Sequence, residues 1–276
     1  MCKERARRAL CAEVPRYADA RVSFDGGDRF RDHAYMTGSP FADMPAPPPE
    51  PRRLETLPRG AVLAFAPHPD DEIAGPGGAL CLHRRQDDPV RVIVATDGEA
   101  GDPDGRHESG AFGDTRRGET RQGLAEIGVH DVDFWGFPDG HVLNEGDLSV
   151  GLDKAVAALE TSKPDVVYLP WALEGHPDHH ALHHIVIRAL DQTGFGGLAL
   201  GYEVWNAMLP DVVLDVTDAM PAKLAAMGRY TSQLAYARFD NCVTGLNMYR
   251  SLVHGAGRGH WEAYQILRGA LPGEDR

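Results

Sequence analysis

The fold is decided by the stretch Ala61-Val62-Leu63-Ala64-Phe65-Ala66-Pro67-His68-Pro69-Asp70-Asp71-Glu72. Its apolar first half predicts a buried strand, and its proline- and acid-rich second half predicts the end of that strand and the start of a helix. Imidazole and carboxylate groups together suit a zinc-class divalent ion, and a catalytic zinc typically takes three protein ligands and leaves a position open for water. The stretch therefore predicts part of a metal site whose remaining ligand lies elsewhere in the chain.

A second cluster of the same chemistry follows another apolar run. Residues 165–170 predict a buried strand, and after a short loop the chain continues with His176-Pro177-Asp178-His179-His180. In an open parallel α/β sheet, ligands collect in the crevice outside the carboxyl ends of the strands. We therefore expect both clusters to face one pocket, although they lie far apart in the sequence.

Apolar runs alternate with helical patterns along the middle of the chain. This alternation indicates a parallel sheet, and buried runs without a period of two, such as residues 90–95, indicate a sheet covered on both faces. We predict an α/β fold, a Rossmann-like three-layer sandwich with a mostly parallel sheet. The predicted strands lie near residues 61–66, 90–96, 132–135, 165–170 and 199–205, and the predicted helices near 73–85, 114–127, 147–161 and 178–191.

The two ends of the chain depart from this pattern. The prolines between Met44 and Pro51 predict an extended tether, so we predict an N-terminal extension over residues 1–58 and a catalytic domain over residues 59–276. Beyond residue 205 we predict a C-terminal α/β elaboration. Its predicted elements are a strand at 212–214, helices near 217–235 and 245–253, and an edge strand or pocket wall containing Trp261, Tyr264 and Ile266.

Composition argues against several classes of function. The formal net charge of −13 disfavours nucleic acid and an anionic membrane surface as main partners, because both attract clustered lysine and arginine. The four cysteines contain no Cys-x-x-Cys pair, so neither a disulfide framework nor a thiolate zinc site is predicted. No stretch has the length and hydropathy of a signal-peptide core or a membrane span. We expect a cytoplasmic protein with a small-molecule substrate, and the sequence does not indicate its oligomeric state.

The two motifs together resemble those of the PIG-L/LmbE family of metal-dependent de-N-acetylases, which remove acetyl groups from N-acetylglucosamine conjugates. The resemblance covers residues 60–200 and rests on His68-Pro69-Asp70-Asp71-Glu72 after a buried strand and on the distal His176-Pro177-Asp178-His179. It implies a zinc-dependent hydrolase, with Fe²⁺ or Co²⁺ as other suitable metals. The implied substrate is an N-acetylglucosaminyl or related amino-sugar conjugate, from which acetate is released.

Three alternatives stay open within this resemblance. The abundance of Ala, Arg, Gly, Asp and Pro is typical of a GC-rich bacterial source, and the N-terminal extension without a targeting signal favours natural-product biosynthesis, such as that of an aminoglycoside or glycopeptide antibiotic. A second alternative is deacetylation or amide hydrolysis of a thiol-cofactor precursor of the mycothiol type. A third is a sugar-binding module that keeps the fold without turnover.

The resemblance also implies roles for the residues of the two motifs. His68, Asp71 and His179 would bind the metal. Asp70 would be the general base, taking a proton from the water that attacks the acetyl carbonyl. His176 would be the acid or the oxyanion stabiliser, holding positive charge toward the tetrahedral intermediate.

Glu72 and Asp178 would support these groups, Glu72 by ordering the metal-binding loop and Asp178 by orienting His176. The residues alone leave two alternatives open. His180 offers the same nitrogen donors as its neighbour and is a second candidate ligand. Asp70 could instead cap the following helix, where an acidic first turn stabilises the helix dipole by about 0.3–1 kcal/mol.

The family resemblance further implies that Arg116 and Asp139 hold sugar hydroxyls and that Glu99 lies in the pocket. Each has a structural alternative. Arg116 and Glu119 could form a surface pair at i,i+3, and Asp139 with Gly140 could form an ordinary turn.

Two features distinguish this chain from the family pattern or extend it. Glu174 occupies a position where some relatives carry tyrosine, and it is expected either to bind a substrate amine or to face water. The long loop at residues 98–113 is expected to be either a mobile lid over the sugar or a solvated loop.

Overall fold

An eight-stranded sheet forms the centre of the protein in the computed structural model, which describes residues 48–54, 56–108, 110–140 and 145–271. The strands are β1 Arg52–Leu54, β2 Val62–Ala66, β3 Val90–Thr96, β4 Asp131–Phe137, β5 Val166–Pro170, β6 Leu198–Tyr202, β7 Val212–Asp215 and β8 Trp261–Arg268. They lie side by side in the order β1-β7-β8-β6-β5-β2-β3-β4. Neighbouring strands are parallel except where β8 pairs with β6 and β7.

Helices cover both faces of this sheet. They are α1 Asp71–Ala74, α2 Gly77–Arg85, α3 Phe112–Glu126, α4 Glu145–Ser162, α5 Pro177–Thr193, α6 Met220–Met227, α7 Thr231–Leu234 and α8 Phe239–His254, with a 3₁₀ turn at Glu99–Gly101. One core cluster includes Leu80 of α2 and Leu124 of α3. The other includes Leu159 of α4 and Ile185 of α5. The predicted three-layer α/β sandwich is confirmed.

The central strands place the two motifs next to each other. Every residue of β2 and of β5 is buried, which explains why neither strand alternates apolar and polar side chains. β2 lies between β3 and β5, with Val62 paired to Val90 on one side and to Val166 on the other. The loops that carry His68 and His176 therefore leave the same edge of the sheet from adjacent strands.

The prediction of one continuous helix over residues 73–85 is wrong. Two helices, α1 and α2, occupy this stretch, and they are separated at Gly75 and Pro76. Proline has no N–H with which to continue a helix from the preceding turn. At Gly75 a Cβ atom would overlap the ring of Tyr202, so only glycine lets the chain approach this closely.

The C-terminal elements differ from the predictions in three respects. The helix predicted over 217–235 is two shorter helices, α6 and α7. The strand containing Trp261 and Tyr264 is β8, and it lies inside the sheet between β6 and β7 instead of at an edge. Its antiparallel partners are distant in sequence, so local patterning did not reveal them. The helix predicted near 245–253 is longer and begins at Phe239.

A short strand was not predicted. Residues 52–54, which belong to the predicted extension, form β1 and pair in parallel with β7. Residues 1–47 of that extension lie outside the described residues, and the domain boundary at residue 58 stays a prediction.

Two further features concern membrane spans and thiols. Within the described ranges, no helix combines the length and apolar character needed to cross a bilayer. Cys81 and Cys242 are free thiols, whereas Cys2 and Cys11 lie outside the described residues.

Candidate metal centre

The first motif lies in the turn between β2 and α1. Asp70 has a φ of 138°, a conformation that side-chain-bearing residues rarely adopt and that is typical of strained functional loops. The turn separates the two aspartates. Asp71 Oδ2 accepts a hydrogen bond from the backbone N–H of His68 at 3.0 Å, whereas Asp70 Oδ2 accepts one from Arg116 Nη2 at 3.0 Å. Asp70 makes no side-chain capping bond to α1, so its alternative role as a helix cap is wrong.

Glu72 supports this turn from below. Its side chain is fully buried. One carboxylate oxygen accepts a hydrogen bond from the backbone N–H of Asp70 at 3.0 Å, and the other accepts one from the hydroxyl of Tyr230. These contacts hold the backbone that carries Asp70 and Asp71 in place.

Three donor atoms from the two motifs converge. Asp71 Oδ2 lies 3.0 Å from His68 Nδ1 and 3.0 Å from His179 Nε2. The two imidazole nitrogens lie 3.3 Å apart. Ligands at about 2.1 Å from a tetrahedral zinc are themselves about 3.4 Å apart. The spacing and the mixed nitrogen and oxygen chemistry of these atoms therefore fit a single divalent ion.

Further carboxylates meet the other ring nitrogen of His68. Its Nε2 lies 3.0 Å from Asp178 Oδ2 and 3.2 Å from Asp139 Oδ1. Two more groups of residues bring donor atoms within 4.8 Å of one another: His68 with His176 and His179, and His68 with Asp139 and Asp178. The clusters predicted from the sequence thus meet in one centre with His68 in the middle.

Glu174 lies next to the ring of His179, at the nitrogen opposite to the one that faces Asp71. Glu174 is buried, and its Oε2 lies 3.2 Å from Nδ1 of His179. The expectation that Glu174 binds a substrate amine or faces water is therefore wrong. A carboxylate behind a metal-binding histidine fixes the ring orientation and leaves the opposite nitrogen free for the ion. The sequence shows that Glu174 replaces the tyrosine of some relatives, but it does not show that the Glu174 side chain turns inward toward His179.

The environments of the two adjacent aspartates push their pKa values apart. Burial raises the pKa of Asp70 to about 7, although the guanidinium of Arg116 opposes the rise. Burial also acts to raise the pKa of Asp71, but the imidazoles of His179 and His68 outweigh it and hold that pKa well below its usual range. A carboxyl that titrates near neutrality suits proton transfer, and one that stays ionised suits a cation.

His176 lies at the start of α5, on the rim of the centre. Its ring lies 4.6 Å from the His68 ring, between centroids, in an edge-to-face arrangement. Burial, aided by the neighbouring His68, lowers the pKa of His176. Asp178 Oδ2 lies 3.9 Å from His176 Nδ1, farther than its 3.0 Å contact with His68. The structure therefore brings Asp178 closer to the predicted ligand than to the residue it was expected to orient.

The other histidines of α5 point elsewhere. His180 Nδ1 lies 3.3 Å from the carbonyl oxygen of Ala172, and its Nε2 lies 3.1 Å from Nε2 of His184 on the exposed face of the helix. His183 Nδ1 contacts the carbonyl oxygen of Pro170 at 2.7 Å. Of the two adjacent candidates, it is His179, and not His180, whose ring nitrogen reaches Asp71.

Arg116 and Asp139 both reach the centre. The guanidinium of Arg116 is buried and donates to Asp70 Oδ2 and to the carbonyl oxygens of Pro69 and Gly98. Asp139 Oδ2 lies 3.8 Å from Arg116 Nη1. The alternative of a surface pair between Arg116 and Glu119 is wrong, because Glu119 is buried.

Glu119 and Glu99 serve the loops around the site. Glu119 accepts hydrogen bonds from Thr231 and Ser232 at the start of α7. Glu99 accepts hydrogen bonds from the backbone N–H groups of Gly113 at 2.6 Å and Gly110 at 3.3 Å, next to the start of α3. The Glu99 carboxylate thus accepts hydrogen bonds from the 98–113 loop, and its predicted place in the pocket stays a prediction.

A groove of about 870 Å³ opens beside this centre. It runs between α4 and α5, with Leu148 and Leu152 on one side and His180 and His184 on the other, and of the residues gathered around His68 only Asp178 lines it. Ligand sites of drug-sized molecules typically have volumes of about 300–1,000 Å³. The groove has a volume in this range, and one of its walls is the face of α5 that carries His180 and His184.

A family model described as GlcNAc-PI de-N-acetylase, PIG-L, matches residues 63–190. Both motifs and the strands that carry them lie within this range. Over these residues the chain matches the PIG-L family model. The family resemblance predicted from the sequence is confirmed, and with it an N-deacetylase, a hydrolase of N-acetyl amide bonds. The alternative of a binding module without turnover is not supported.

The chain is similar in sequence to proteins named as deacetylases. A probable N-acetyl-alpha-D-glucosaminyl L-malate deacetylase 2 of Bacillus cereus is 29% identical over 183 residues, covering 62% of this chain and 83% of the relative. A 1D-myo-inositol 2-acetamido-2-deoxy-alpha-D-glucopyranoside deacetylase of a Mycobacterium species is 27% identical over 242 residues, covering 68% and 78%.

The chain is also similar in fold to solved structures. An N,N'-diacetylchitobiose deacetylase from Pyrococcus horikoshii has a TM-score of 0.66 at 22% identity, covering 75% of this chain and 83% of that one. A 4-carboxy-2-hydroxymuconate hydratase from Pseudomonas putida is as similar, with a TM-score of 0.65 at 19% identity over 79% of this chain and all of the other. The fold by itself therefore does not determine the reaction.

Proposed function

We propose that this protein hydrolyses the N-acetyl amide of an N-acetylglucosaminyl or related amino-sugar conjugate, with a divalent ion held by His68, Asp71 and His179. The observation that carries the proposal is the convergence of their three donor atoms at 3.0–3.3 Å. Zinc is our first choice of metal because imidazole and carboxylate donors in tetrahedral spacing suit it, and Fe²⁺ and Co²⁺ are the alternatives.

The surrounding residues supply proton transfer and charge stabilisation. When bound, the ion polarises the amide carbonyl and lowers the pKa of water. Asp70 then accepts the proton of the attacking water and passes it to the leaving amine, and Arg116 holds this carboxylate in position through its 3.0 Å contact. His176, on the open rim, stabilises the negative charge that develops on the carbonyl oxygen.

The substrate is proposed by analogy with the relatives. The names of the two sequence relatives describe a glucosaminyl group joined to a small polar molecule, malate in one and inositol in the other. The groove beside Asp178 offers space for such an attached group. We assign Asp139 and Arg116 to the sugar hydroxyls. The relatives favour a thiol-cofactor precursor of the mycothiol type as the substrate, and a natural-product conjugate is the alternative.

The proposal is tested by measuring acetate release together with bound metal. Asp70→Asn should keep its metal while turnover falls about 10²–10⁴-fold, because the amide cannot accept the proton. Asp114→Asn is the matched control: Asp114 is an exposed residue of α3 that pairs with Arg117, and both readouts should stay at wild-type values.

The outcomes separate the alternatives. Acetate release from amino-sugar conjugates in a panel would support the proposal, and the preferred conjugate would decide between the two substrate classes. Undiminished turnover in Asp70→Asn would contradict the assigned base. Binding of every conjugate by the metal-loaded protein without any acetate release would contradict the hydrolase itself.

A further inference from the structure

Two exposed apolar side chains lie on loops beside His176. Trp205 is 65% exposed and Leu173 is 66% exposed. The ring of Trp205 lies 5.8 Å from the ring of His176, between centroids, with the planes tilted by 33°. Trp205 therefore borders the candidate site and leaves one face of its indole open to a ligand.

The loops that carry these side chains are fixed to each other. Glu174 accepts hydrogen bonds from the backbone N–H groups of Val204 at 2.7 Å and Trp205 at 3.0 Å. Asn206 Nδ2 donates to the carbonyl oxygen of Leu173 at 2.8 Å. Since Glu174 also contacts His179, one buried carboxylate sets the position of the Trp205 backbone relative to the metal centre.

Polar and apolar groups lie at opposite ends of a chain of contacts. Arg116 contacts Asp139, Asp139 contacts His68, the His68 ring meets the His176 ring, and the His176 ring meets Trp205. Among the described residues, no ring contact joins Trp205 to His68. Arg116 and Trp205 are therefore separated along this chain of contacts by Asp139, His68 and His176.

This arrangement orients a bound amide. A carbonyl carbon at the centre carries its amine on one side and its acyl substituent on another. Sugar hydroxyls find hydrogen-bond partners at Arg116 and Asp139, and an aliphatic group finds an apolar surface at Trp205 and Leu173. In this orientation the sugar lies against Arg116 and Asp139, and the acyl substituent lies against the indole of Trp205.

We propose that Trp205 and Leu173 form a binding surface for the N-acyl substituent, and that the enzyme accepts linear acyl chains longer than acetyl. This inference rests on the proposed deacylation at His68, Asp71 and His179. The open indole offers more apolar surface than a methyl group covers. Each added methylene that it buries is expected to raise kcat/KM about fourfold until the surface is covered.

The experiment compares N-acetyl, N-butyryl and N-hexanoyl forms of one glucosamine conjugate, with kcat and KM measured for each. In Trp205→Ala, the ratio of kcat/KM for hexanoyl over acetyl should fall about tenfold or more through KM, because the apolar contact is lost. Trp205→Phe should keep most of the preference. Leu209→Ala is the matched control, an apolar residue of the same loop that is 73% exposed.

The outcomes distinguish this inference from its alternatives. An equal loss for all three acyl lengths would show that Trp205 contacts the sugar or only positions His176, and an unchanged ratio would show that it binds no part of the substrate. Both results would overturn the inference. Calorimetric binding of the same series gives an independent readout. If the wild type releases no acid but binds hexanoyl more tightly than acetyl, and Trp205→Ala does not, the proposed function fails while the acyl surface stands.

Discussion

His179 is held between two carboxylates that act on opposite ring nitrogens. Asp71 Oδ2 lies 3.0 Å from Nε2, and Glu174 Oε2 lies 3.2 Å from Nδ1. Glu174 is itself fixed, because the indole N–H of Trp171 donates to it at 3.1 Å and two backbone N–H groups donate from the next loop. The ring of His179 is therefore oriented before any ion binds, which lowers the entropic cost of forming the site.

The residue-scale prediction concerns this orienting carboxylate. Glu174→Gln keeps the shape and an acceptor oxygen for the backbone N–H groups but removes the charge that faces His179. We expect zinc affinity to fall about 10–100-fold, as is typical when a partner of a metal-binding histidine is changed. Competition with a chromophoric chelator measures this affinity directly and independently of turnover.

Glu99→Gln is the control for this experiment. Glu99 also accepts backbone N–H groups, but from Gly110 and Gly113 beside α3 and not beside a metal-binding residue. Its zinc affinity should equal that of the wild type. Wild-type zinc affinity in Glu174→Gln would contradict the role assigned to Glu174.

At the scale of elements, the break between α1 and α2 shapes the loop that carries His68 and Asp71. The four residues of α1 begin at Asp71, so a predicted ligand opens the helix. Gly75 then lets the chain pass the ring of Tyr202, whose hydroxyl donates to the carbonyl oxygen of Phe65 in β2 at 2.8 Å. Tyr202 therefore holds the loop at both ends, at the end of β2 and at the break between α1 and α2.

Two glycine substitutions test the close contact between Gly75 and the Tyr202 ring. Gly75→Ala should lower the free energy of unfolding by about 1–3 kcal/mol, because the added methyl group overlaps the Tyr202 ring in a closed space. Gly245→Ala, in the middle of α8 with open space around it, should raise it by about 0.5–1 kcal/mol, because alanine favours helix over glycine. Urea unfolding of the metal-free protein measures both. A Gly75→Ala variant as stable as the wild type would contradict the close approach.

Local patterns predicted the elements that carry the site better than those that surround it. The apolar runs before His68 and before His176 were sufficient to predict β2 and β5, because fully buried strands have a strong sequence signal. The break at Gly75-Pro76 was missed because the apolar residues on both sides fit one continuous helix. The side-chain direction of Glu174 was not predictable, since its partners Val204 and Trp205 come from a loop beyond the next strand.

At the scale of the whole molecule, the C-terminal part of the chain completes the sheet that carries the site. β8 inserts between β6 and β7, and its Glu262 forms a buried ion pair with Lys223 of α6 at 2.7 Å. Glu262 also accepts the backbone N–H of Gly78 at the start of α2, and Lys223 donates to the carbonyl oxygen of Gly75. These long-range contacts join the late elements to the helix break, and no local pattern could predict them.

The central claim is that one ion is held by two motifs from different strands. Metal content per chain, measured by mass spectrometry after chelator washing and zinc reloading, tests it most directly. We predict one ion per chain for the wild type, its loss in His68→Ala and in His179→Ala, and its retention in His180→Ala and His184→Ala on the exposed face of the same helix. A full complement of metal in both His68→Ala and His179→Ala would contradict the account.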